Sequence, residues 1–277
     1  MPNGAVASGE LKIRQKLGKY RIERKLGSGG FASVYQAMDT VQGIRVAIKV
    51  PHAQYTTEAV LTEFRKEIRT TAPLEHDNIL PIKDASIIED RLVVVFPLGD
   101  ETLQQRMTRR ISLESAFEIA EQILRATALA HSHHVIHCDI KPENVIVFAG
   151  NRIRLADFGI AKVSQKTVQG GGTGTIGYMA PEQAMGKPSF RSDVFSIGLI
   201  LWRLLSGHWP EWPFAWPPSG YTRLRGRIHP EFIDFMRRAI DLNPRRRYRD
   251  AQQMLAIFQK LKQRTIRHAR SRRRQSA

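Results

Sequence analysis

Residues 137–144 read HCDIKPEN and connect a long helical pattern, Leu113–Ser132, to a strand. Asp139 and Asn144 lie five positions apart in this connection. A carboxylate can hold a hydroxyl group for attack, and an amide oxygen can bind a cation. Lys141, which lies between them, can place a positive charge beside the negative charge that develops in a transfer reaction. The stretch therefore predicts a catalytic loop.

Two further motifs follow this loop. Asp157-Phe158-Gly159 comes after a second short strand, Arg152–Leu155, and its carboxylate is a natural Mg²⁺ ligand. Ala180-Pro181-Glu182 closes the next loop. We expect Glu182 to form an ion pair with a later arginine, Arg247.

A glycine-rich segment lies upstream, at Leu26–Val34 (LGSGGFASV), between the first two predicted strands. Glycine lets the backbone approach phosphate oxygens closely, so that N–H groups can donate to them. A plain β-turn is the alternative, because hairpins are often rich in glycine. Ala32 replaces the third glycine of the GxGxxG pattern, and we expect a modest effect because alanine is the smallest substitute.

Val46–Lys49 (VAIK) places a lysine on a buried strand. A buried ammonium group needs an anionic partner. The helix predicted over about Thr57–Thr71 offers Glu63 and Glu67, and Glu67 lies inside the apolar stripe of that helix. We therefore expect Glu67 to pair with Lys49, while an ordinary surface ion pair of Glu67 is the alternative.

The chain changes character near Pro97–Asp100. Before this point short apolar runs alternate with turns, which indicates antiparallel strands, and after it long segments have the helical period. A small β-rich lobe with one helix, followed by a larger helical lobe, is an α+β fold. The predicted strands are Tyr20–Leu26, Ser33–Met38, Arg45–Val50, Ile82–Ile88 and Leu92–Phe96, and the predicted later helices are Leu113–Ser132, Ser192–Leu205, Glu231–Leu242 and Asp250–Lys262.

The motifs GSGGFASV, VAIK, HCDIKPEN, DFG and APE follow one another in this order. With this order and spacing the chain resembles the eukaryotic-type (Hanks-type) Ser/Thr protein kinases, and its compact form resembles their bacterial members. The resemblance covers about Tyr20–Lys262 and implies a bilobal protein-kinase-like fold. It implies an extension at 1–19, a kinase domain at 20–262 with lobes at about 20–98 and 99–262, and a basic tail at 263–277.

The resemblance implies Mg²⁺-assisted transfer of phosphate from ATP to Ser or Thr hydroxyls of protein substrates. Lys141, two residues after the implied base Asp139, is typical of Ser/Thr kinases rather than Tyr kinases. The implied catalytic residues are Asp139, Lys141, Lys49 and Glu67, and the implied metal ligands are Asn144 and Asp157. The implied ATP-binding residues are Leu26, Gly27, Ser28, Gly29, Gly30, Val34, Ala47, Lys49, Val95, Phe96, Leu98 and Ile146.

Some of these residues have implied individual roles around the adenine. Val95 would be the gatekeeper, and the hinge hydrogen bonds would use the carbonyl of Phe96 and the N–H of Leu98. Pro97 lacks an N–H, but its position between the two need not donate. The side chains that would sandwich adenine are Val34, Ala47 and Ile146.

Cys138 stands where many kinases carry arginine. In those kinases the arginine clamps a phosphate on the activation loop. Cysteine cannot supply this clamp, so we expect a variant without the His-Arg-Asp motif whose activity does not depend on an activation-loop phosphate. A small buried side chain is favoured over a redox-active thiol. Asp193 resembles the aspartate that anchors the catalytic loop from the helix beneath it.

The composition favours a globular protein in a reducing compartment. The chain has 277 residues, 42% of them apolar, and a single cysteine, so no internal disulfide can form. The N-terminus lacks the apolar core of a signal peptide, and no apolar stretch is long enough for a transmembrane helix. We therefore expect a cytoplasmic location.

The net charge of +17 is concentrated toward the C-terminal end. Ala251–Ala277 contains eight Lys or Arg residues and no Asp or Glu. The tail at 263–277 can attract an acidic protein, an anionic membrane or nucleic acid, and a solvated tail is the alternative.

Two other functions stay open from the sequence. A pseudokinase would bind nucleotide or partners without catalysis, although such proteins usually lack one of the implied catalytic residues. A tether would make the basic tail the main feature. The Trp-rich segment Gly207–Gly220 fits core packing and substrate docking equally, and the histidines at 131–137 fit helix and loop ends better than a zinc site.

Overall fold

The computed structural model describes residues 10–30, 32–52, 62, 65, 68–158 and 176–275. These residues form two compact units. The first unit contains the described residues up to Glu75 together with Leu80–Gly99. The second contains His76–Ile79 and the described residues from Asp100 onward.

The first unit is built on a six-stranded antiparallel sheet, whose strands lie side by side in the order β1-β2-β3-β4-β6-β5. The strands are β1 (Lys16–Leu17), β2 (Tyr20–Ser28), β3 (Ala32–Asp39), β4 (Ile44–Pro51), β5 (Asp84–Ile88) and β6 (Arg91–Pro97). The last five match the predicted strands. Strand β1 was not predicted, because two residues are too few to show a period.

The two faces of this sheet contribute to separate apolar clusters, because side chains alternate along a strand. One cluster consists of Leu11, Leu17, Tyr20, Ile22, Tyr35, Ala37, Val46, Ile48, Val50, Val93 and Val95. The other consists of Leu92 and Val94 with the partly buried Ile68, Ile82 and Phe96. Since Leu11 and Leu17 belong to the first cluster, part of the segment predicted as an N-terminal extension packs into this unit.

The helix predicted over about Thr57–Thr71 is described only in part. Residues 62, 65 and 68–71 are helical, and the helix ends just before Pro73, as predicted. Glu63 and Glu67 lie outside the described residues.

The second unit combines a small antiparallel sheet with a set of packed helices. The sheet has the strand order β7-β8-β9, formed by β7 (Glu101–Thr102), β8 (Val145–Phe148) and β9 (Arg152–Leu155). Its described α-helices are α1 (Leu103–Arg106), α2 (Leu113–Ser132), α3 (Pro181–Ala184), α4 (Phe190–Ser206), α5 (Tyr221–Arg225), α6 (Pro230–Ala239) and α7 (Ala251–Gln275). The α+β prediction is confirmed.

Helix α4 carries a site residue and has well-defined ends. At its start the N–H of Ser189 donates to Oγ of Ser192, 3.0 Å away, in a reciprocal cap. At its end Gly207 takes a left-handed conformation, with φ of 75°, and its N–H donates to the carbonyl of Arg203 at 2.9 Å. Almost every residue between is buried, which makes α4 the central helix of this unit.

Helix α7 is longer than predicted. The pattern predicted an end at Lys262, but the helix continues to Gln275. Ile266 and Ala269 are buried and extend its apolar stripe, and Nη1 of Arg264 donates to both carboxylate oxygens of Glu231 on α6, at 2.9 and 2.8 Å. The segment predicted as a basic tail thus continues the last helix. No helix in the part of the chain described here is both long and apolar enough to cross a membrane.

Candidate active site

Asp193 on helix α4 anchors the loop that contains HCDIKPEN. Its side chain is 1% exposed. Its Oδ2 accepts from the backbone N–H of His137 at 2.8 Å and from Nε2 of His131 at 2.9 Å, and its Oδ1 accepts from the N–H of Cys138 at 2.9 Å. Three donors satisfy a buried carboxylate that would otherwise be costly. The predicted anchoring role of Asp193 is confirmed.

His131 and His137 are structural parts of this loop. The N–H of Ala251 donates to Nδ1 of His131 at 3.0 Å, so Nε2 carries the proton that is donated to Asp193. Likewise the N–H of Asp139 donates to Nδ1 of His137 at 3.2 Å, and Nε2 donates to the carbonyl of Ala156 at 2.9 Å. Burial lowers the pKa of His137, which keeps the ring neutral. Its ring also packs on Phe158, with centroids 4.5 Å apart.

The histidine-rich stretch does not join a metal cluster among the described residues. Across that part of the chain no three His, Cys, Asp or Glu side chains are grouped so that they could hold a metal ion. The structural hydrogen bonds of His131 and His137 account for the buried members.

Cys138 is buried and has an unusual backbone conformation. Its φ is +66°, which L-residues rarely adopt. Both of its backbone polar groups are bonded to side chains. Its N–H donates to Asp193, and its carbonyl accepts from Nε2 of Gln183 at 2.5 Å. The interpretation of Cys138 as a small buried residue is confirmed, whereas Gln183 was missed, since nothing in the sequence pattern marks it.

The carboxylate of Asp139 contacts the side chains of both Lys141 and Asn144. Oδ2 of Asp139 lies 2.9 Å from Nζ of Lys141 and accepts a hydrogen bond of 2.9 Å from Nδ2 of Asn144. The same Nδ2 donates to the carbonyl of Asp139 at 2.8 Å. The Asp139 side chain is 38% exposed, so it can reach a substrate while its position is fixed.

Asn144 and Asp157 offer oxygen ligands of the kind that Mg²⁺ prefers. Because Nδ2 of Asn144 is directed at Asp139, its Oδ1 points the other way and can serve as a ligand. The N–H of Ala156 donates to the carbonyl of Asn144 at 2.8 Å, which ties the residue before Asp157 to the loop. Asp157 itself has a φ of +62°. The donor set fits a divalent magnesium ion.

Glu182 and Arg247 form the predicted ion pair. Nη1 and Nη2 of Arg247 donate to the two carboxylate oxygens at 2.8 and 3.0 Å, and the Arg247 side chain is fully buried. Burial lowers the pKa of Arg247, while Glu182 opposes this shift. Arg247 also donates to the carbonyls of Arg191, Asp241 and Leu242. The pair therefore fixes helix α3 firmly within the second unit.

In the first unit the strand register places three predicted ATP-binding residues on one face. Val34 of β3 lies opposite Lys49 of β4, and Ala47 lies two residues before Lys49. Directly opposed residues and residues two apart share a face of a sheet. Val34, Ala47 and Lys49 are thus brought together, and each is partly buried. The predicted partner Glu67 is outside the described residues.

The strand register places the predicted gatekeeper Val95 on a different face of the sheet from Ala47 and Lys49. Val95 lies opposite Ile48 and belongs to the apolar cluster on the other face of the sheet. Phe96 lies opposite Ala47, and it packs beside Val94 in the cluster on the Lys49 face. A shift of one residue in a strand exchanges the two faces. Phe96 is therefore the side chain that accompanies Ala47 and Lys49, and Leu98 follows it just after the strand.

The glycine-rich hairpin is open to solvent. Its predicted ligand-binding residues are all exposed: Leu26, Gly27, Ser28, Gly29 and Gly30. The N–H of Gly29 donates to the carbonyl of Ala32 at 2.9 Å and closes the turn. A Cβ on Gly27 would meet no atom within 4 Å. Internal packing therefore does not explain this glycine, which fits a loop that a phosphate-bearing ligand approaches closely.

Ile146, the predicted adenine contact from the second unit, lies on β8. It is partly buried, while its neighbours Val145 and Val147 are buried, so it occupies the more open face of the strand. The segment between the DFG and APE motifs is the activation loop that the family resemblance implies, and it contains Ser164, Thr167, Thr173 and Thr175. These four residues, like Gly159 of the DFG motif, lie outside the described residues.

The tryptophans of the second unit differ in how far they are buried. Trp202 is buried in α4 and its Nε1 donates to the carbonyl of Ser219 at 2.9 Å. Trp209 packs edge-on against Tyr178, with centroids 3.8 Å apart. Trp212, in contrast, is 70% exposed. Core packing thus explains Trp202 and leaves a docking role for Trp212 as a prediction.

Comparison with known proteins agrees with the motifs. A family model described as the protein kinase domain matches residues 20–258. The probable serine/threonine-protein kinase PknB of Lactococcus lactis subsp. lactis is 39% identical over 201 residues, which cover 69% of this chain and 32% of the relative. Serine/threonine-protein kinase PknA of Mycobacterium tuberculosis is 35% identical over 206 residues, covering 70% of this chain and 48% of the relative.

Further matches point the same way. Serine/threonine-protein kinase PrkC of Bacillus subtilis is 34% identical over 201 residues, covering 70% of this chain and 31% of the relative. The chain thus spans between 31% and 48% of the lengths of these relatives. The crystal structure of the Mycobacterium tuberculosis PknI kinase domain superimposes with a TM-score of 0.69 at 22% identity, covering 91% of this chain and 100% of that domain, which establishes the fold. The chain belongs to the protein kinase domain family, with bacterial serine/threonine kinases among its relatives.

Proposed function

We propose that the chain is an ATP-dependent, Mg²⁺-assisted protein kinase that phosphorylates Ser and Thr hydroxyls. The observation that supports this most directly is the Asp139 carboxylate, held at 2.9 Å by both Lys141 and Asn144 on a loop anchored by Asp193. Bound ATP supplies the phosphoryl group, and bound Mg²⁺ neutralises charge on its phosphates. The names of the relatives support Ser and Thr as the acceptors.

Asp139 is the proposed catalytic base. Its partly exposed carboxylate orients the substrate hydroxyl and takes up its proton. The ammonium group of Lys141, beside Oδ2, stabilises the negative charge that develops on the transferring group. Asn144 keeps the carboxylate in place through Nδ2 and offers Oδ1, together with the carboxylate of Asp157, to the metal ion.

In the first unit we assign the remaining roles by face and position. Lys49, with Glu67 as its predicted partner, holds phosphate groups, and the exposed backbone of Leu26–Gly30 covers them. Val34 and Ala47 are the proposed adenine contacts of this unit, and Ile146 stays a predicted adenine contact.

We assign the gatekeeper position to Phe96 instead of Val95, because Phe96 lies opposite Ala47 in the strand register. The hinge hydrogen bonds are then assigned one residue later than predicted, to the carbonyl of Pro97 and the N–H of Gly99. This shift suits proline, which has an acceptor but no donor.

Activity without an activation-loop phosphate is part of the proposal. Cys138 cannot clamp a phosphate, and the backbone around it is already held by Asp193 and Gln183. The predicted cytoplasmic location stays a prediction. The same holds for an acidic protein, an anionic membrane or nucleic acid as partners of residues 263–277.

The direct test is transfer of labelled γ-phosphate from ATP with Mg²⁺ to a basic protein substrate, comparing the wild type with Asp139→Asn. We expect transfer to Ser or Thr, and a loss of at least about 100-fold in the variant because it lacks the base. A folded wild-type protein that binds ATP but transfers no phosphate would instead identify a pseudokinase.

A further inference from the structure

We propose that Gln183 is a positioning residue for the catalytic aspartate. Its side-chain amide holds the carbonyl of Cys138 and thereby fixes the peptide group from which Asp139 extends. Gln183 does not touch the reacting atoms in this account. The inference rests on the proposed kinase function and adds a residue to its machinery that none of the sequence motifs contains.

The peptide group between Cys138 and Asp139 is held at both ends. Its carbonyl accepts from Nε2 of Gln183 at 2.5 Å, and its N–H donates to Nδ1 of His137 at 3.2 Å. The preceding peptide group is held through the bond from the N–H of Cys138 to Asp193. Any rotation of the first peptide group would carry the Asp139 side chain away from Lys141 and Asn144.

The conformation of Cys138 makes this support necessary. A φ of +66° is unfavourable for a residue with a side chain, and it persists only where the surroundings enforce it. A buried carbonyl also needs a donor. Gln183 supplies that donor, so the same hydrogen bond satisfies the carbonyl and holds the strained residue.

Gln183 is itself held rigidly, which lets it act as a fixed support. It is only 2% exposed, and its N–H donates to the carbonyl of Ala180 at 3.0 Å in the first turn of α3. The adjacent Glu182 makes the two-pronged ion pair with the buried Arg247. A continuous set of contacts therefore runs from Arg247 through α3 to the loop that carries Asp139.

The test compares Gln183→Met with Gln183→Glu over pH 6 to 8. Methionine has a similar length but no donor, so we expect kcat to fall on the order of 10- to 100-fold at every pH. A buried glutamate facing a carbonyl has a raised pKa, and its protonated form can donate. We therefore expect Gln183→Glu to be as impaired as Gln183→Met at pH 8 and to recover relative to it at pH 6. The KM for ATP should stay within about twofold of the wild type, since a positioning residue for Asp139 does not bind nucleotide.

The ratio of the kcat values of Gln183→Met and Gln183→Glu isolates the effect of residue 183, because Asp139, Asp193 and Glu182 are present in both variants. A ratio that does not change with pH, or a Gln183→Met variant with kcat within about twofold of the wild type, would overturn the proposal. If Gln183→Met does not fold, the same pH recovery is sought in Gln183→Glu against the wild type, and its absence overturns the proposal equally.

A second measurement does not depend on kinase activity. Cys138 is the single cysteine of the chain, so its reaction with a chromogenic disulfide reagent reports only on this loop. We expect Gln183→Met to react at least about tenfold faster than the wild type because the loop opens more often. Tyr248→Phe, which removes a buried hydroxyl far along the chain, is the matched control for general destabilisation.

The two measurements separate the two proposals. An inactive wild type with faster labelling in Gln183→Met would contradict the proposed kinase function and keep the positioning role. An active wild type with equal labelling rates in both proteins, or with equal acceleration in Tyr248→Phe, would contradict the positioning role alone.

Discussion

The catalytic loop at 137–144 and the glycine-rich hairpin at 27–30 are built in opposite ways. In the catalytic loop, side chains from other elements hold the backbone of His137 and Cys138 through hydrogen bonds that are buried. In the hairpin, every residue from Gly27 to Gly30 is exposed and a Cβ on Gly27 would meet nothing. The catalytic loop is therefore fixed by hydrogen bonds from other elements, whereas the glycine-rich hairpin is open to solvent.

This difference follows from what each loop is proposed to do. A base must be held within a fraction of an ångström of its productive position, which requires neighbours whose own side chains cannot move. A loop that covers phosphates must bring its backbone close to them, which requires small residues and free space. Substitutions in the two loops should therefore affect different properties of the protein.

The largest effect is expected at Asp193. In Asp193→Asn one carboxylate oxygen becomes an NH₂ group that faces the donors of His131, His137 or Cys138. We expect the free energy of unfolding to fall by about 3 kcal/mol or more, with a loss of kcat of at least about 100-fold in the folded fraction. Denaturant unfolding and phosphate transfer measure the two effects. Asp234→Asn, at an exposed position, is the control and should change neither.

The next largest effect is expected from breaking the ion pair of Glu182 with Arg247. Glu182→Gln leaves the guanidinium of Arg247 buried without its counter-charge, which costs about 3 kcal/mol of unfolding free energy. Because Gln183 is the next residue, kcat should fall as well. Glu231→Gln breaks the exposed pair with Arg264 and should cost less than about 1 kcal/mol. Equal losses in the two variants would show that burial does not distinguish these pairs.

A smaller effect should separate the two faces of β6 in the first unit. Val95→Ala leaves a cavity in a closed apolar cluster, so we expect a loss of about 1 to 2 kcal/mol in stability and little change in the KM for ATP. Phe96→Ala should change the KM for ATP by more than Val95→Ala does. If Val95→Ala has the larger effect on nucleotide binding, the assignment of the faces is wrong.

The smallest effect on stability is expected in the hairpin. Gly27→Ala adds a methyl group in open space, so the unfolding free energy should change by less than about 0.5 kcal/mol while the KM for ATP rises several-fold. Gly198→Ala is the contrasting variant, because its Cβ would lie 2.7 Å from Cγ2 of Ile240. It should destabilise the fold and leave the KM of the folded protein unchanged. A hairpin variant that binds ATP normally would contradict the proposed use of Gly27.

The sequence was sufficient to predict the part of the candidate site whose residues lie close together along the chain. Asp139, Lys141 and Asn144 are separated by a few residues, so the loop that unites them could be predicted. The pair of Glu182 with Arg247 was predicted from the APE motif, and the contact of Asp193 with the loop followed from the family resemblance. Both contacts join distant residues, and both are confirmed.

The features that the sequence does not show depend on register and on tertiary contacts. Val95 and Phe96 differ only by which face of the sheet they occupy, and a run of apolar residues does not show that. Gln183 acts through a backbone carbonyl 45 positions earlier, which leaves no pattern in the sequence. The extension of α7 was hidden because its buried Ile266 and Ala269 are separated by the polar residues Arg267 and His268.

We propose that residues inside the fold, and not a phosphate on the activation loop, order the catalytic loop. The most direct measurement is kcat of the Thr167→Ala, Thr173→Ala double variant, purified without phosphate as verified by mass spectrometry. We expect a kcat within about threefold of the wild type, since Asp193 and Gln183 already hold the backbone of Cys138. A folded double variant that has lost activity by about 100-fold or more would contradict it.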